Sequence, residues 1–466
     1  MQLNSFTLLL VALVPAGQAL AGHMGKGIPG HHIQKHHHDL ATPSLLKRAP
    51  AAAATNDASF ANINSTTAQC KPYYIESVSA FSKEFPPVWE IADILPNDTE
   101  AQQIWQRIQA SGKIPDIAPR GLPTGSMQGN GSRYDAVADP DCWWTATKCT
   151  TPKHPGIPND IVTCPEPHIW GISFDDGPNC THNAFYDFLK ENNQKATMFY
   201  IGSNVMDWPL QAQRGLTDGH QLSAHTWSHR YLTALTSSQI FAELYYTVKV
   251  IKYVVGVTVT SYRPPYGDID DRVRAIANAL GLDTIIWTDD TNDWQIAPQG
   301  PSPTAVIDHN YGSIIAKATS TPLDQAGILV LTHEINGETM DEWMKEYPLV
   351  KNAFKHVVPI DTCRNKTQIY QEQQYVYPNF SQYIQGNTMP QGLPKANAIK
   401  AKAAQYTITA SQPSRPLTST AAASSKGTGS QAGSKSAATA SFSSSTLVLV
   451  AVAAAVIVGS SVTLAL

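Results

Sequence analysis

Short apolar runs alternate with amphipathic helical stretches across residues 165–360, which predicts an α/β fold, a sheet or barrel of parallel strands joined by crossover helices. Five of those runs end in polar, chemically capable residues, as a barrel with one functional mouth requires. The flanks lack this alternation, so an irregular N-terminal extension and a disordered Ser/Thr-rich C-terminal stalk are expected around the barrel.

The expected strands are 168–174, 196–201, 220–224, 257–262, 284–288 and 327–331, with a last one at 357–360. Residues 183–191 carry Phe185, Phe188 and Leu189 at helical spacing, and 238–255 carry Ile240, Leu244, Val248 and Ile251. Residues 270–280 start acidic and end at Gly281, as a capped helix does. Before the barrel, 76–94 and 100–110 are the helical candidates.

The chain of 466 residues divides by composition. Residues 1–21 have the apolar stretch and Ala19-Leu-Ala21 pattern of a secretory signal. Residues 22–48 form a His-rich segment ending at the dibasic pair Lys47-Arg48; it is either a metal-capturing segment or a spacer lost on processing. The extension then spans 49–164, the catalytic domain 165–362 and a C-terminal extension 363–406. Residues 407–446 are dominated by Ser, Thr, Ala and Gly, and 447–466 are apolar with no basic residue after them. A stop-transfer helix carries Lys or Arg on its cytoplasmic side, so the tail reads as a GPI-anchor signal that is removed, with a single-pass anchor as the alternative.

Secretion fits the rest of the composition. Sequons stand at Asn64, Asn97, Asn130, Asn179, Asn365 and Asn379. The six cysteines show no CxxC spacing, which favours disulfides, and Cys164 with Cys363 would tie the ends of the patterned region. A formal charge of −4 without a basic patch argues against nucleic acid and for a neutral substrate. A monomer is expected.

The chemistry begins at Ile172-Ser-Phe-Asp-Asp-Gly-Pro178, where two adjacent carboxylates end a buried strand. Neighbouring like charges resist desolvation, so a cation must hold them. His225-Thr-Trp-Ser-His229 supplies two imidazoles four apart, which on a helical turn can face one metal. One Asp would then be the third ligand and the other a base for water. Arg263, between a strand and the stiff Pro264-Pro265, is a second cation for the pair. His333, with Asp293 as its carboxylate partner, is a candidate general acid. No G-x-S-x-G elbow, phosphate loop or dinucleotide fingerprint is present.

In order, SFDDG, HTWSH, RPPY, DTNDW and LTH resemble the five motifs of the polysaccharide deacetylase family, the NodB-homology group of carbohydrate esterase family 4. Ser173 departs from the family's commoner Thr. The resemblance implies a distorted (β/α) barrel and one divalent metal, most often zinc, with cobalt as a substitute. By motif position it implies Asp176, His225 and His229 as metal ligands, Asp175 as base and Arg263 as its holder. The backbone N–H of Tyr266 would meet the oxyanion, Trp294 and Leu331 would wall the acetyl methyl, and His333, tuned by Asp293, would protonate the departing amine.

The signal, dibasic site, stalk and anchor signal look fungal, and fungal members of the family resemble chitin deacetylases. Chitin or N-acetylglucosamine oligomers are therefore the expected substrate, at the plasma membrane or cell wall. An O-acetyl-polysaccharide esterase and a non-catalytic chitin-binding wall mannoprotein are the alternatives. Trp143, Trp144 and Trp227 are candidates for stacking on sugar rings, or for core burial.

Overall fold

The structure is a computed structural model that describes residues 56–127, 134–319 and 321–399. The expectations for 1–21, 22–48, 407–446 and 447–466, and for Asn130, lie outside the described residues.

The strands are β1 (Thr163–Cys164), β2 (Ile169–Gly177), β3 (Thr197–Tyr200), β4 (Gln221–Ala224), β5 (Ser261–Tyr262), β6 (Asp283–Thr284), β7 (Asp289–Asp290), β8 (Gly327–Leu331) and β9 (His356–Pro359). They form one sheet in the order β1-β8-β2-β3-β4-β5-β6, with β7 joined to β8 and β9 to β2. Every pairing is parallel except β1 with β8. Beyond β6, Ile285 bridges Ile161, just before β1, and so links the two ends of the strand order. That bridge makes the curled sheet the distorted barrel that the resemblance implies.

β2 is buried at all nine positions, the pattern of a strand covered on both faces. Its first half pairs with β9 and its second half with β3. The helix Ser237–Val255 starts at a capping box, Thr236 with Gln239, and stops at Gly256, whose φ of 95° suits a residue without Cβ. Helices Asn183–Glu191 and Asp271–Ala279 match the expected periodicity. Helices Pro209–Thr217, Thr304–Ile315 and Gly337–Ala353 complete the outer layer. Trp170 packs edge-on against Phe354 and lies near Trp343 in the core.

Three expected elements are shorter or broken. The helix expected over 76–94 stops at Phe81, because Pro86 and Pro87 supply no N–H. The strand expected over 257–262 pairs with its neighbours only at Ser261–Tyr262; before that, Val259 bridges Tyr370 of the C-terminal extension. Of the one expected over 284–288, only Thr284 belongs to a strand, β6, and Ile285 makes a single bridge; β7 begins after it, at Asp289.

All six cysteines are paired: Cys164–Cys363 as expected, together with Cys70–Cys180 and Cys142–Cys149. The second fastens the extension to the loop after β2. Asn64, Asn97 and Asn365 are exposed and Asn379 is half-buried. Asn179 is buried, and its Nδ2 donates to Ile335 O at 2.7 Å. Among the described residues no helix is long and apolar enough to cross a membrane.

Candidate active site

β2 continues through both carboxylates instead of stopping before them. Asp175 N donates to Thr332 O at 2.9 Å and Glu334 N donates to Asp175 O at 3.0 Å, which zips the end of β2 to the segment after β8. Asp175 and His333 are thereby bridged directly. At Asp176 the backbone turns left-handed, with φ of 70°, and Asn204 Nδ2 holds its carbonyl at 2.8 Å. The two neighbours therefore face different partners.

Asp176 faces the histidines. Its Oδ1 lies 3.3 Å from His225 Nε2 and 3.1 Å from His229 Nε2. The expected helical turn is not what brings these rings together. Residues 225–229 are non-helical, and Thr226 and His229 have φ of 64° and 55°. Such backbone costs on the order of 1–3 kcal/mol per residue and persists only where its surroundings impose it. Within this turn the carboxylate of Glu243, on the helix Ser237–Val255, accepts Trp227 N at 2.9 Å and Ser228 N at 2.8 Å.

The donor set fits a cation. His225 Nδ1 is 2.8 Å from Arg263 O, a contact that places the proton there and leaves a lone pair on Nε2. That lone pair points at Asp176 Oδ1, which is buried and accepts no hydrogen bond. Only a cation or added protons can reconcile these groups. Burial pushes the His229 pKa down, which opposes the protons despite Asp176 beside it. One carboxylate oxygen and two imidazole nitrogens are ligands that suit zinc and similar ions.

Asp175 faces Arg263. The guanidinium NH1 donates to Asp175 Oδ1 at 2.7 Å and to Ser173 Oγ at 3.0 Å, and Ser173 Oγ donates to Val330 O at 3.2 Å. Ser173 thus sets the height of Arg263, which explains a polar residue at that point of an apolar strand. Arg263 is fully buried and its pKa is lowered by that burial, against the pull of Asp175.

His333 and Asp293 are joined twice: ring Nδ1 to Oδ1 at 2.6 Å and backbone N to Oδ2 at 2.8 Å. Burial disfavours the imidazolium, yet the carboxylate prevails and raises its pKa to about 10. Asp290, at the same mouth, is pushed up to about 6 by burial.

These groups open on one cavity of about 210 Å³, which Tyr266, Trp294 and Leu331 also line. Asp293 and Arg263 stand behind His333 and Asp175. Trp144, Thr145 and Lys148 enter the lining from the N-terminal extension. Trp143 and Trp227 do not: both are core residues, the second stacked on Phe85 with ring centroids 5.7 Å apart.

The loop bearing Trp144 is closed by Cys142–Cys149 and docked by Asp268, which accepts Trp143 Nε1 at 2.9 Å and Thr145 Oγ1 at 2.6 Å. Glu243, Asp268 and Lys148 escaped the sequence reading. Cys142 and Cys149, with two tryptophans, two threonines and a lysine between them, were the local signal for this wall.

The family model described as polysaccharide deacetylase matches residues 163–285. Chitin deacetylase 2 of Cryptococcus neoformans var. grubii is 48% identical over 376 residues, covering 80% of this chain and 80% of its own length. The chitin deacetylase of Amylomyces rouxii is 45% identical over 313 residues, 66% of this chain and 72% of its own. Among solved structures, the chitin deacetylase of Colletotrichum lindemuthianum is 23% identical with a TM-score of 0.40, over 44% of this chain and 92% of that one. With nearly half its residues shared over four-fifths of a chitin deacetylase, and the deacetylase family model matched across the first part of the barrel, this chain belongs to the polysaccharide deacetylase family.

Proposed function

We propose that the chain hydrolyses the N-acetyl groups of chitin, releasing acetate and leaving glucosamine units in the polymer. The observation that carries this is the placement of a buried carboxylate and an imidazolium around one cavity beside an Asp-His-His cation site. Kinship with chitin deacetylases supports the substrate.

In this reading Asp175 accepts a proton from the attacking water as oxygen bonds to the acetyl carbon. Arg263 holds that carboxylate in one orientation through its NH1 bond to Oδ1. The backbone N–H of Tyr266, placed by a residue with φ of 59°, donates to the developing oxyanion. His333, held in one tautomer by Asp293, gives its proton to the nitrogen as the C–N bond breaks. Trp294 and Leu331 enclose the methyl group. Asp176, His225 and His229 would hold one divalent ion, zinc first and cobalt as a substitute, which polarises the carbonyl and lowers the pKa of water when bound.

Three disulfides suit the oxidising route to the cell surface. Attachment there by a GPI anchor is the reading that the 407–446 stalk and 447–466 tail support. Acetate release from N-acetylglucosamine oligomers, with and without chelator and beside Asp175→Asn, tests the activity. Release that vanishes with both treatments is expected. No release from zinc-loaded protein would overturn the substrate and turn attention to O-acetylated polymers.

A further inference from the structure

The loop that carries both histidines is gripped from outside the barrel. Glu243 is fully buried, and four donors fill its carboxylate. Oε2 takes Trp227 N and Ser228 N; Oε1 takes Ser228 Oγ at 2.7 Å and Ala92 N at 2.9 Å. Three of these donors lie between His225 and His229, and the fourth belongs to the N-terminal extension.

The extension makes further contacts to the same loop. Phe85 stacks on Trp227, and Trp227 Nε1 donates to Pro87 O at 3.0 Å. Trp89 N donates to Ser203 Oγ at 2.8 Å, and that hydroxyl donates to Trp227 O at 2.6 Å. Arg230 NH2 donates to Trp89 O at 2.9 Å. None of residues 85–92 falls within the matched family region, which starts at 163.

The two left-handed residues, Thr226 and His229, flank the pair of N–H groups that Glu243 receives. Without an acceptor those buried donors would be unpaired, and the loop would gain by turning outward. Its imidazoles would then no longer converge on Asp176.

We propose that Glu243 is a positioning residue of the metal-binding loop, and that residues 85–92 act on the metal site through it and through Trp227. This rests on Asp176, His225 and His229 being the metal ligands. The role is distinct from ligation: Glu243 presents no oxygen to the ion and sets the affinity by fixing where the imidazoles stand.

The test is zinc affinity of the secreted chain, stripped of metal and titrated against a colorimetric chelator, with the melting temperature of each metal-free variant alongside. Glu243→Gln places an amide donor against N–H donors and is expected to weaken zinc binding about 10- to 100-fold. Zinc binding within twofold of the parent in a folded Glu243→Gln protein overturns the proposal. Should that variant not fold, Ser228→Ala removes only one of the four bonds; weaker binding supports the role and parental binding overturns it.

Thr247→Val removes the hydroxyl bond to Glu243 O, 2.7 Å long, without touching the loop, and should bind zinc like the parent. An equal loss there would assign the effect to helix stability and overturn the proposal. Phe85→Ala should weaken zinc severalfold; parental affinity would overturn the part given to the extension. Asp176→Ala separates the premise from the inference: it must abolish binding, and if it does not, the ligand assignment fails independently of Glu243.

Discussion

Asp293 holds His333 through both of its carboxylate oxygens, one on the ring Nδ1 at 2.6 Å and one on the backbone N at 2.8 Å. Ring orientation and charge are thus fixed by one side chain. With the imidazolium pKa raised to about 10 from an ordinary 6.5, the pair contributes stability that is whole below about pH 6.5. It fades as pH rises through about 10, because the proton that the folded state retains is then lost.

Asp293→Asn is therefore expected to move the alkaline limb of the kcat–pH profile to lower pH. It should also flatten the loss of stability between neutral and alkaline pH. Both are read by acetate release and thermal melts across a pH series. An unmoved alkaline limb would show that His333 is not the acid.

Asp175→Asn should cost about 10²- to 10⁴-fold in kcat with little change in KM, since the base acts in the transition state. Arg263→Met addresses its holder. Breaking a buried ion pair from one side costs about 3–5 kcal/mol, so this variant should melt earlier as well as turn over more slowly. Parental stability in Arg263→Met would mean that the ion pair with Asp175 adds nothing net to the fold.

Chelation should stop acetate release and zinc should restore it. Because an ion that binds only the folded chain stabilises it, free zinc at 100 times its Kd should add about 2.7 kcal/mol. A melting temperature indifferent to zinc would argue against the Asp176, His225 and His229 cluster as a metal site.

Gly267 carries a prediction for the extension's wall. Its φ is 66°, and a Cβ there would stand 2.3 Å from the Trp144 ring. Gly267→Ala should cost on the order of 1–3 kcal/mol and raise KM for oligomers by displacing the indole. Trp144→Ala should raise KM without the loss in backbone stability. Equal KM values in all three proteins would remove Trp144 from the substrate cleft.

Cys164–Cys363 closes a loop of 199 residues around the barrel. Replacing both by Ala should lower stability by about 2–5 kcal/mol in urea melts while leaving zinc affinity intact.

The barrel was legible because strand periodicity and polar strand ends are local signals. SFDDG, HTWSH, RPPY, DTNDW and LTH each sit where a strand hands over to a loop, and the sheet order brings their side chains to one mouth. What stayed hidden depends on long-range partners. His225 and His229 suggested a helical turn by spacing, but the segment between them carries left-handed backbone and gives its N–H groups to Glu243 of the helix Ser237–Val255. Trp227 and Trp144 belong to the same residue type, and only the packing of Phe85 and Gly267 decides that one is core and the other lines the cleft. Asn179 shows the same limit: nothing local to its sequon tells that Nδ2 donates to Ile335 O.

The bond from Ala92 N to Glu243 Oε1 joins positions 151 apart in the chain. A contact of that span closes late, because loop-closure entropy must be met before it forms. Synthesis runs from the N-terminus, so residues 85–92 emerge well before the helix that receives them. During that interval residues 85–92 await the helix that receives them. The turn between His225 and His229 is therefore completed only when residues 85–92 meet Glu243.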